Sequence, residues 1–136
     1  MSFTEGSYEK ALIALFENLG YQHQYGPNIE RDYYVPFYEE QLIKSLTTIN
    51  YGKPRPAIDE AISKLKDIEI GSLPQKNELF MDYLQHGIEV SFFDGKEQRN
   101  DIIYLIDYND KNIKRNDFKV INQWTFVENS EKRADI

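Results

Sequence analysis

Two carboxylates set the reading of this chain. Asp135 stands alone between Ala134 and Ile136, where a new strand would begin after the polar turn at 128–133. Successive strand residues alternate faces, so Ala134 and Ile136 can enter a core while Asp135 points to the other side, the placement that a site needs. Glu9 lies in a helical stretch, one residue from Tyr8 and three before Leu12, so it borders the apolar stripe rather than opposing it. Each acid also has a plain structural account. Asp135 can be a strand-end residue that faces solvent or caps a turn. Glu9 can be an N-terminal-turn glutamate favoured by the helix dipole, an account that Glu5 fits better still.

Other polar residues offer less. Lys111, Lys114, Arg115 and Lys119 form the best candidate for phosphate contact, with Lys132 and Arg133 close to Asp135 in sequence. Asp110 and Asp117 dilute that cluster, and a solvated loop is the favoured account of it. Asn122 and Gln123 fall on opposite faces of a long apolar segment. Buried amides need partners, so both are expected to organise strand edges rather than touch a substrate. His23 and His86 stand isolated, without ligand partners at metal-site spacing. The tyrosines at 8, 21, 25, 33, 34 and 38 could stack bases, but no basic groove interleaves them, and packing is expected instead.

The elements that must carry these residues follow from periodicity. Tyr8, Leu12, Leu15, Phe16 and Leu19 repeat with helical spacing and form an apolar stripe, with Thr4 placed to cap and Gly20 to terminate. A short strand at 21–25 ends at Gly26-Pro27. A second helix over 36–50 carries Leu42, Ile43, Leu46 and Ile49 on one face; a third begins at Pro56 and carries Ile58, Ile62, Leu65 and Ile68. A fourth spans 75–85 and stops at Gly87. The pattern then switches to alternation at 88–92, a hairpin signal at Asp94-Gly95, a buried strand at 101–107, a loop at 109–117 and a long strand at 118–127. Helices followed by an antiparallel meander define an α+β fold, with the helices packed on a mixed or antiparallel sheet that also takes the strand starting at Asp135.

Composition bounds the possibilities. The 136 residues can build one domain with a core, expected over 1–136. Apolar residues make up 40% and charged residues 29%, a globular balance rather than a disordered one. No apolar run approaches a membrane span, the N-terminus lacks a secretory signal pattern, and the absence of cysteine excludes disulfides and fits a reducing cytoplasm. A net charge of −7 opposes the phosphate backbone of DNA, whose neutralisation by Lys and Arg supplies most non-specific affinity. No G-x-x-x-x-G-K-[ST] loop occurs, so no ATP site is expected within these residues.

One family matches this order of residues. Tyr104-Leu105-Ile106-Asp107, Asn116-Asp117-Phe118, Val120-Ile121-Asn122-Gln123 and Arg133-Ala134-Asp135-Ile136 resemble the N-terminal domain of the restriction (R) subunit of type I restriction–modification enzymes. Thr4-Glu5, Glu9-Lys10-Ala11-Leu12-Ile13, Leu15-Phe16 and Leu19-Gly20-Tyr21 are similar to its opening helix and the strand after it. The resemblance runs from about Thr4 to Ile136 and is weakest between Pro27 and Gly87. It implies a nuclease of the PD-(D/E)xK type, with Asp135 as the central Mg²⁺ ligand and Glu9 as the helix-borne acid beside it. Lys111, Lys114, Arg115, Lys119 and Arg133 would then face DNA. The family's Glu-x-Lys strand would follow Ile136, so the chain is expected to be an incomplete PD-(D/E)xK restriction-endonuclease-like core, inactive by itself and weak or silent toward DNA.

The same resemblance implies that the whole enzyme hydrolyses DNA with Mg²⁺ after ATP-driven translocation by motor domains absent here. It would be a cytoplasmic protein, with methyltransferase and specificity subunits as partners. Two alternatives stay open from the residues alone: a non-catalytic acidic module whose helices between Pro36 and Gln85 dock partner subunits, and a stand-alone nuclease of the same superfamily without a motor.

Overall fold

A computed structural model describes residues 4–35, 37–68, 71–127 and 131–134. In chain order its elements are α1 (Glu5–Asn18), β1 (Gln22–Tyr25), α2 (Glu39–Ile49), α3 (Arg55–Lys66), α4 (Leu73–His86), β2 (Ile88–Phe93), β3 (Gln98–Ile103), β4 (Lys119–Asn122), β5 (Trp124–Val127) and β6 (Glu131–Ala134). Short 3₁₀ turns occupy Gly26–Asn28 and Asp110–Arg115. The class is mixed α+β, as expected. The elements divide into two compact units, Met1–Tyr38 with Asp117–Ile136, and Glu39–Asn116.

In the Glu39–Asn116 unit the periodic apolar residues do what their spacing requires. Strand β2 alternates buried Ile88, Val90 and Phe92 with exposed Glu89, Ser91 and Phe93. Helix α3 lays Ala57, Ile58, Ala61, Ile62 and Leu65 over that buried row, joined by Leu46 from α2 and Ile103 from β3. Hairpin β2–β3 is antiparallel, with Ile88 opposite Ile103 and Phe93 opposite Gln98. Its turn is held by Asp94, whose Oδ1 accepts from the Lys96 and Glu97 backbone N–H groups at 2.8 and 2.9 Å. Because that turn is short, pairing starts at polar Gln98 and is finished by Ile103; the strand expected at 101–107 is displaced toward the turn. Buried Asn50 ties the end of α2 to the segment after β3, donating to Leu46 and Tyr104 carbonyls and accepting from the Tyr104 N–H. Ser72 and Gln75 form a reciprocal capping box that starts α4.

The Met1–Tyr38/Asp117–Ile136 unit departs further from expectation. Thr4 caps α1 as foreseen, its Oγ1 accepting from the Ser7 N–H at 3.2 Å. Four of the five residues of the expected apolar stripe are nonetheless exposed: Tyr8 is 60% accessible, Leu12 46%, Leu15 53% and Leu19 67%. The helix is rolled so that Glu9, Ile13 and Phe16 turn inward. Leu12, Ile13, Leu15 and Phe16 together make an apolar arc too wide for periodicity to choose its inner edge. Phe16, Tyr21 and Phe118 then stack edge to face, with ring centroids 5.1 and 5.5 Å apart.

The expected single sheet is absent from the described residues. Three two-stranded sheets take its place: β1 with β4 in parallel, β2 with β3, and β5 with β6 in antiparallel pairs. The long strand at 118–127 is broken at Gln123, whose φ of 54° is left-handed. A left-handed residue cannot continue a ladder, so β4 stays beside β1 while β5 turns away to pair with β6.

Candidate functional site

The break in the strand builds a polar cluster. In an unbroken strand Asn122 and Gln123 would point to opposite faces. The left-handed step at Gln123 brings both amides to one carboxylate, that of Glu9 on the inward face of α1. Asn122 Nδ2 donates to Glu9 Oε1 at 2.7 Å. Gln123 Nε2 donates to Oε1 at 3.0 Å and to Oε2 at 3.1 Å. The expectation that these amides organise strand edges on opposite faces is thus corrected: their shared partner is an acid from the helix. Asn122 is buried at 8% exposure and Glu9 half-buried.

Strand β1 supplies the next member. His23 pairs in register with Val120, two residues before Asn122, and its Nε2 lies 2.8 Å from Asn122 Oδ1. An ionised carboxylate only accepts, so Asn122 must give its nitrogen to Glu9 and its oxygen to His23; Nε2 therefore carries the hydrogen. His23, read from the sequence as isolated, is the start of a donor chain ending on Glu9. A polar pair inside an apolar strand was the available signal; no spacing pointed to the histidine, which lies 99 positions away.

Backbone packing fixes this arrangement. A Cβ added at Gly26 would lie 2.5 Å from the Asn122 carbonyl oxygen and 2.6 Å from that of Gln123. Only glycine lets the 3₁₀ turn after β1 approach the break so closely. On the far side of the break, Arg31 bonds the Thr125 carbonyl and stacks over Trp124, 3.5 Å from the ring centroid. Desolvation lowers the pKa of this guanidinium.

Electrostatically the cluster favours a negative Glu9. Its pKa is held below the ordinary value, first by the Gln123 amide, then by that of Asn122, against an opposing desolvation effect; the charges of Arg133 and His23 add to the lowering. Hydrogen bonds to the charged form are the dominant cause. The oxygen donors suit a hard cation such as Mg²⁺. Among the described residues no group of three or more His, Cys, Asp or Glu converges to hold a metal. Asp135 lies outside the described residues. The β5–β6 register places Ala134 opposite Trp124, one residue along from Gln123.

The remaining candidates separate. Lys111, Lys114 and Arg115 sit on the 3₁₀ turn of the Glu39–Asn116 unit and are exposed, Arg115 reaching Asp107 at 4.0 Å. Lys119 and Arg133 belong to the other unit. Lys119 is largely covered and engaged with Gln22 at 2.9 Å and Asp117 at 3.5 Å. His86 pairs with Asp82 within α4. An open cavity of about 610 Å³ lies beside hairpin β2–β3, lined by Lys53, Lys64, Glu89, Ser91, Asn100 and Asp101 among others. Its cations are already occupied, Lys53 by Asp101 and Lys64 by the Glu89 carbonyl.

Comparison with known proteins gives this arrangement its setting. The chain is 24% identical over 127 residues to the type I restriction enzyme HindI endonuclease subunit of Haemophilus influenzae, covering 88% of this chain and 12% of that protein. It is 25% identical over 122 residues to a protein provisionally named as the type I restriction enzyme MjaIXP endonuclease subunit of Methanocaldococcus jannaschii, covering 85% and 12%. The chain thus spans about an eighth of the length of these relatives. No solved structure matches it. Residues 2–136 match the family described as the type I restriction enzyme R protein N terminus, and the chain belongs to that family.

Proposed function

We propose that this chain is the N-terminal part of a PD-(D/E)xK nuclease domain, in which Glu9 and Asp135 hold Mg²⁺ for hydrolysis of DNA phosphodiesters. The observation that carries the reading is the three-bond amide clamp on Glu9, which keeps a helix-borne carboxylate ionised and fixed in direction. Support for including Asp135 comes from the register that sets its neighbour Ala134 opposite Trp124. When bound, Mg²⁺ supplies activation of a water nucleophile and neutralisation of charge on the phosphate. The chain's own part is to orient Glu9, to keep it deprotonated and to screen it with Arg133. DNA would be delivered by the rest of the enzyme, since a net charge of −7 opposes phosphate binding by these residues alone. Lys111, Lys114, Arg115 and Lys119 would make at most secondary phosphate contacts. ATP-driven translocation, the methyltransferase and specificity partners, and a cytoplasmic setting belong to this proposal as properties of the whole enzyme.

The test is a paired assay on the longest protein that carries this sequence, assembled with its partner subunits. Asp135→Ala removes one carboxylate ligand and should lower plasmid cleavage by orders of magnitude while DNA-stimulated ATP hydrolysis continues. Retained cleavage would show that Asp135 has no catalytic part; loss of both activities would make it structural. A second reading, a non-catalytic module that docks partner subunits, has its own observation. Helix α4 buries no residue and exposes Leu73, Leu79, Phe80 and Met81. Under that reading Asp135→Ala leaves cleavage intact, whereas charged substitutions on α4 disrupt assembly.

A further inference from the structure

The sheet geometry around Glu9 is more specialised than carrying an acid requires. Three separate features converge on two amides: a left-handed non-glycine residue at Gln123, a glycine whose missing Cβ makes room for the carbonyls of Asn122 and Gln123, and a histidine whose Nε2 lies 2.8 Å from Asn122 Oδ1. A left-handed glutamine costs free energy on the order of 1 kcal/mol and persists only where its surroundings impose it. Here the surroundings impose it, and the product is a pair of N–H donors aimed at one side chain.

Resting on the reading of Glu9 as a metal ligand, we propose that Asn122 and Gln123 are positioning residues that hold Glu9 for one-sided cation binding through Oε2, with His23 locking the Asn122 amide. The two oxygens are treated unequally. Oε1 accepts two amide N–H groups, and Oε2 accepts one, so Oε2 keeps the larger remaining acceptor capacity. Rotation of the carboxylate would break bonds to two residues at once. His23 acts at one remove. With Nε2–H on Asn122 Oδ1, a flip of the amide would set two donors against each other at His23 and two acceptors against each other at Glu9. The chain His23–Asn122–Glu9 therefore has one satisfied orientation. This is the logic of outer ligands that aim an inner one, and removing such partners ordinarily weakens metal affinity or activity about 10–100-fold.

The decisive variant is Gln123→Gly in the whole assembled enzyme. Glycine accepts the left-handed backbone without strain, so the strand break survives while the amide is lost. Binding of Mn²⁺, a paramagnetic probe, is measured in the absence of DNA by electron spin resonance, alongside the Mg²⁺ dependence of cleavage and the melting temperature. The expected result is Mn²⁺ affinity lowered about tenfold, with cleavage needing more Mg²⁺ and melting unchanged or raised. His23 gives an independent pair. His23→Ala removes the second anchor of the Asn122 side chain and should weaken Mn²⁺ binding, and His23→Gln, whose Nε2 can donate in place of the imidazole, should restore most of it.

Should Gln123→Gly prove unfolded, the His23 pair decides, because that residue lies outside the strained step. Wild-type Mn²⁺ affinity in folded Gln123→Gly, or loss in His23→Ala without recovery in His23→Gln, overturns the clamp. Glu9→Gln separates the two levels. If it abolishes Mn²⁺ binding while the clamp variants do not, Glu9 is a ligand that needs no positioning. Unchanged binding in Glu9→Gln removes the metal role and the clamp together.

Discussion

The two units spend their buried polar groups in opposite ways. In Glu39–Asn116 the buried polar side chain, Asn50, closes three hydrogen bonds to backbone and stitches a helix end to a loop. Around it lies an apolar core in which Ile88, Ile103 and Ala57 are wholly buried. Among the described residues of the other unit the buried apolar side chains are Ile13 and Val120, and the buried amide of Asn122 reaches a carboxylate and a histidine rather than the backbone. The left-handed non-glycine residue of the described chain falls there, beside a glycine pressed by the carbonyls of Asn122 and Gln123. In the Glu39–Asn116 core burial follows periodicity, whereas in the other unit a strand break, a buried amide and an acid gather at one place. Local rules that a fold violates tend to gather where function is carried.

The sharpest way to break that comparison is to exchange the kinds of damage. Ile88→Ala empties a fully buried position between α3 and β3 and should cost about 2–5 kcal/mol of stability. Denaturant melts read this directly, and any fall in cleavage should follow the fraction unfolded. Glu9→Gln is nearly isosteric and should move the same melts far less than Ile88→Ala does, while cleavage collapses. If Ile88→Ala spares stability, or Glu9→Gln lowers it as much, the division between a supporting unit and a working one is wrong.

A smaller effect tests whether the two properties meet at Gly26. A methyl group there would press on the Asn122 and Gln123 carbonyl oxygens at 2.5 and 2.6 Å. Overpacking of this kind costs about 1–3 kcal/mol, and relief requires the strand break itself to move. Gly26→Ala should therefore lose cleavage out of proportion to its loss of stability, which is not expected at a core position of the other unit. Melting and cleavage both at wild-type level would mean that the close approach does not constrain the clamp.

How much of this was legible in the sequence differs between the units for the same physical reason. Alternation at Ile88, Val90 and Phe92 and helical spacing through Ile58, Ile62 and Leu65 located the Glu39–Asn116 core, because burial there follows period alone. Glu9 was legible as an acid on the border of an apolar stripe, and Asn122 and Gln123 as amides in need of partners. What joined them was not legible. A left-handed glutamine carries no composition signal, and without it the strand at 118–127 reads as continuous and its two amides as opposed. The same break hid the division of the sheet. The inward turn of Ile13 and Phe16, rather than Leu12 and Leu15, depended on which residues β1 and β4 offered to the helix. His23 was missed because its partner lies 99 positions away.

The smallest effect concerns charge, where both units depress a carboxylate but by different means. Asp101 is held below its ordinary pKa first by the Lys53 ammonium as a hydrogen-bond donor, at 2.5 Å, and then by the Ile102 N–H. Asp94 is lowered chiefly by the Glu97 and Lys96 backbone N–H groups of its turn. Both folded-state values lie below the unfolded ones, so each group contributes stability above the unfolded pKa of about 3.9. That contribution is lost as pH falls through the folded value. Lys53→Met removes the leading cause at Asp101 and leaves the turn around Asp94 intact. Acid unfolding of this variant should become shallower below about pH 4, with a loss at neutral pH of under about 1 kcal/mol, because the pair is partly exposed. Glu9→Gln alters the acid limb through the other unit, since Glu9 is lowered by neutral amides rather than by a lysine. Urea melts from pH 2 to 7 separate the two. If Lys53→Met retains the full wild-type pH dependence, the ion pair does not set the acid limb of its unit, and the turn at Asp94 carries it instead.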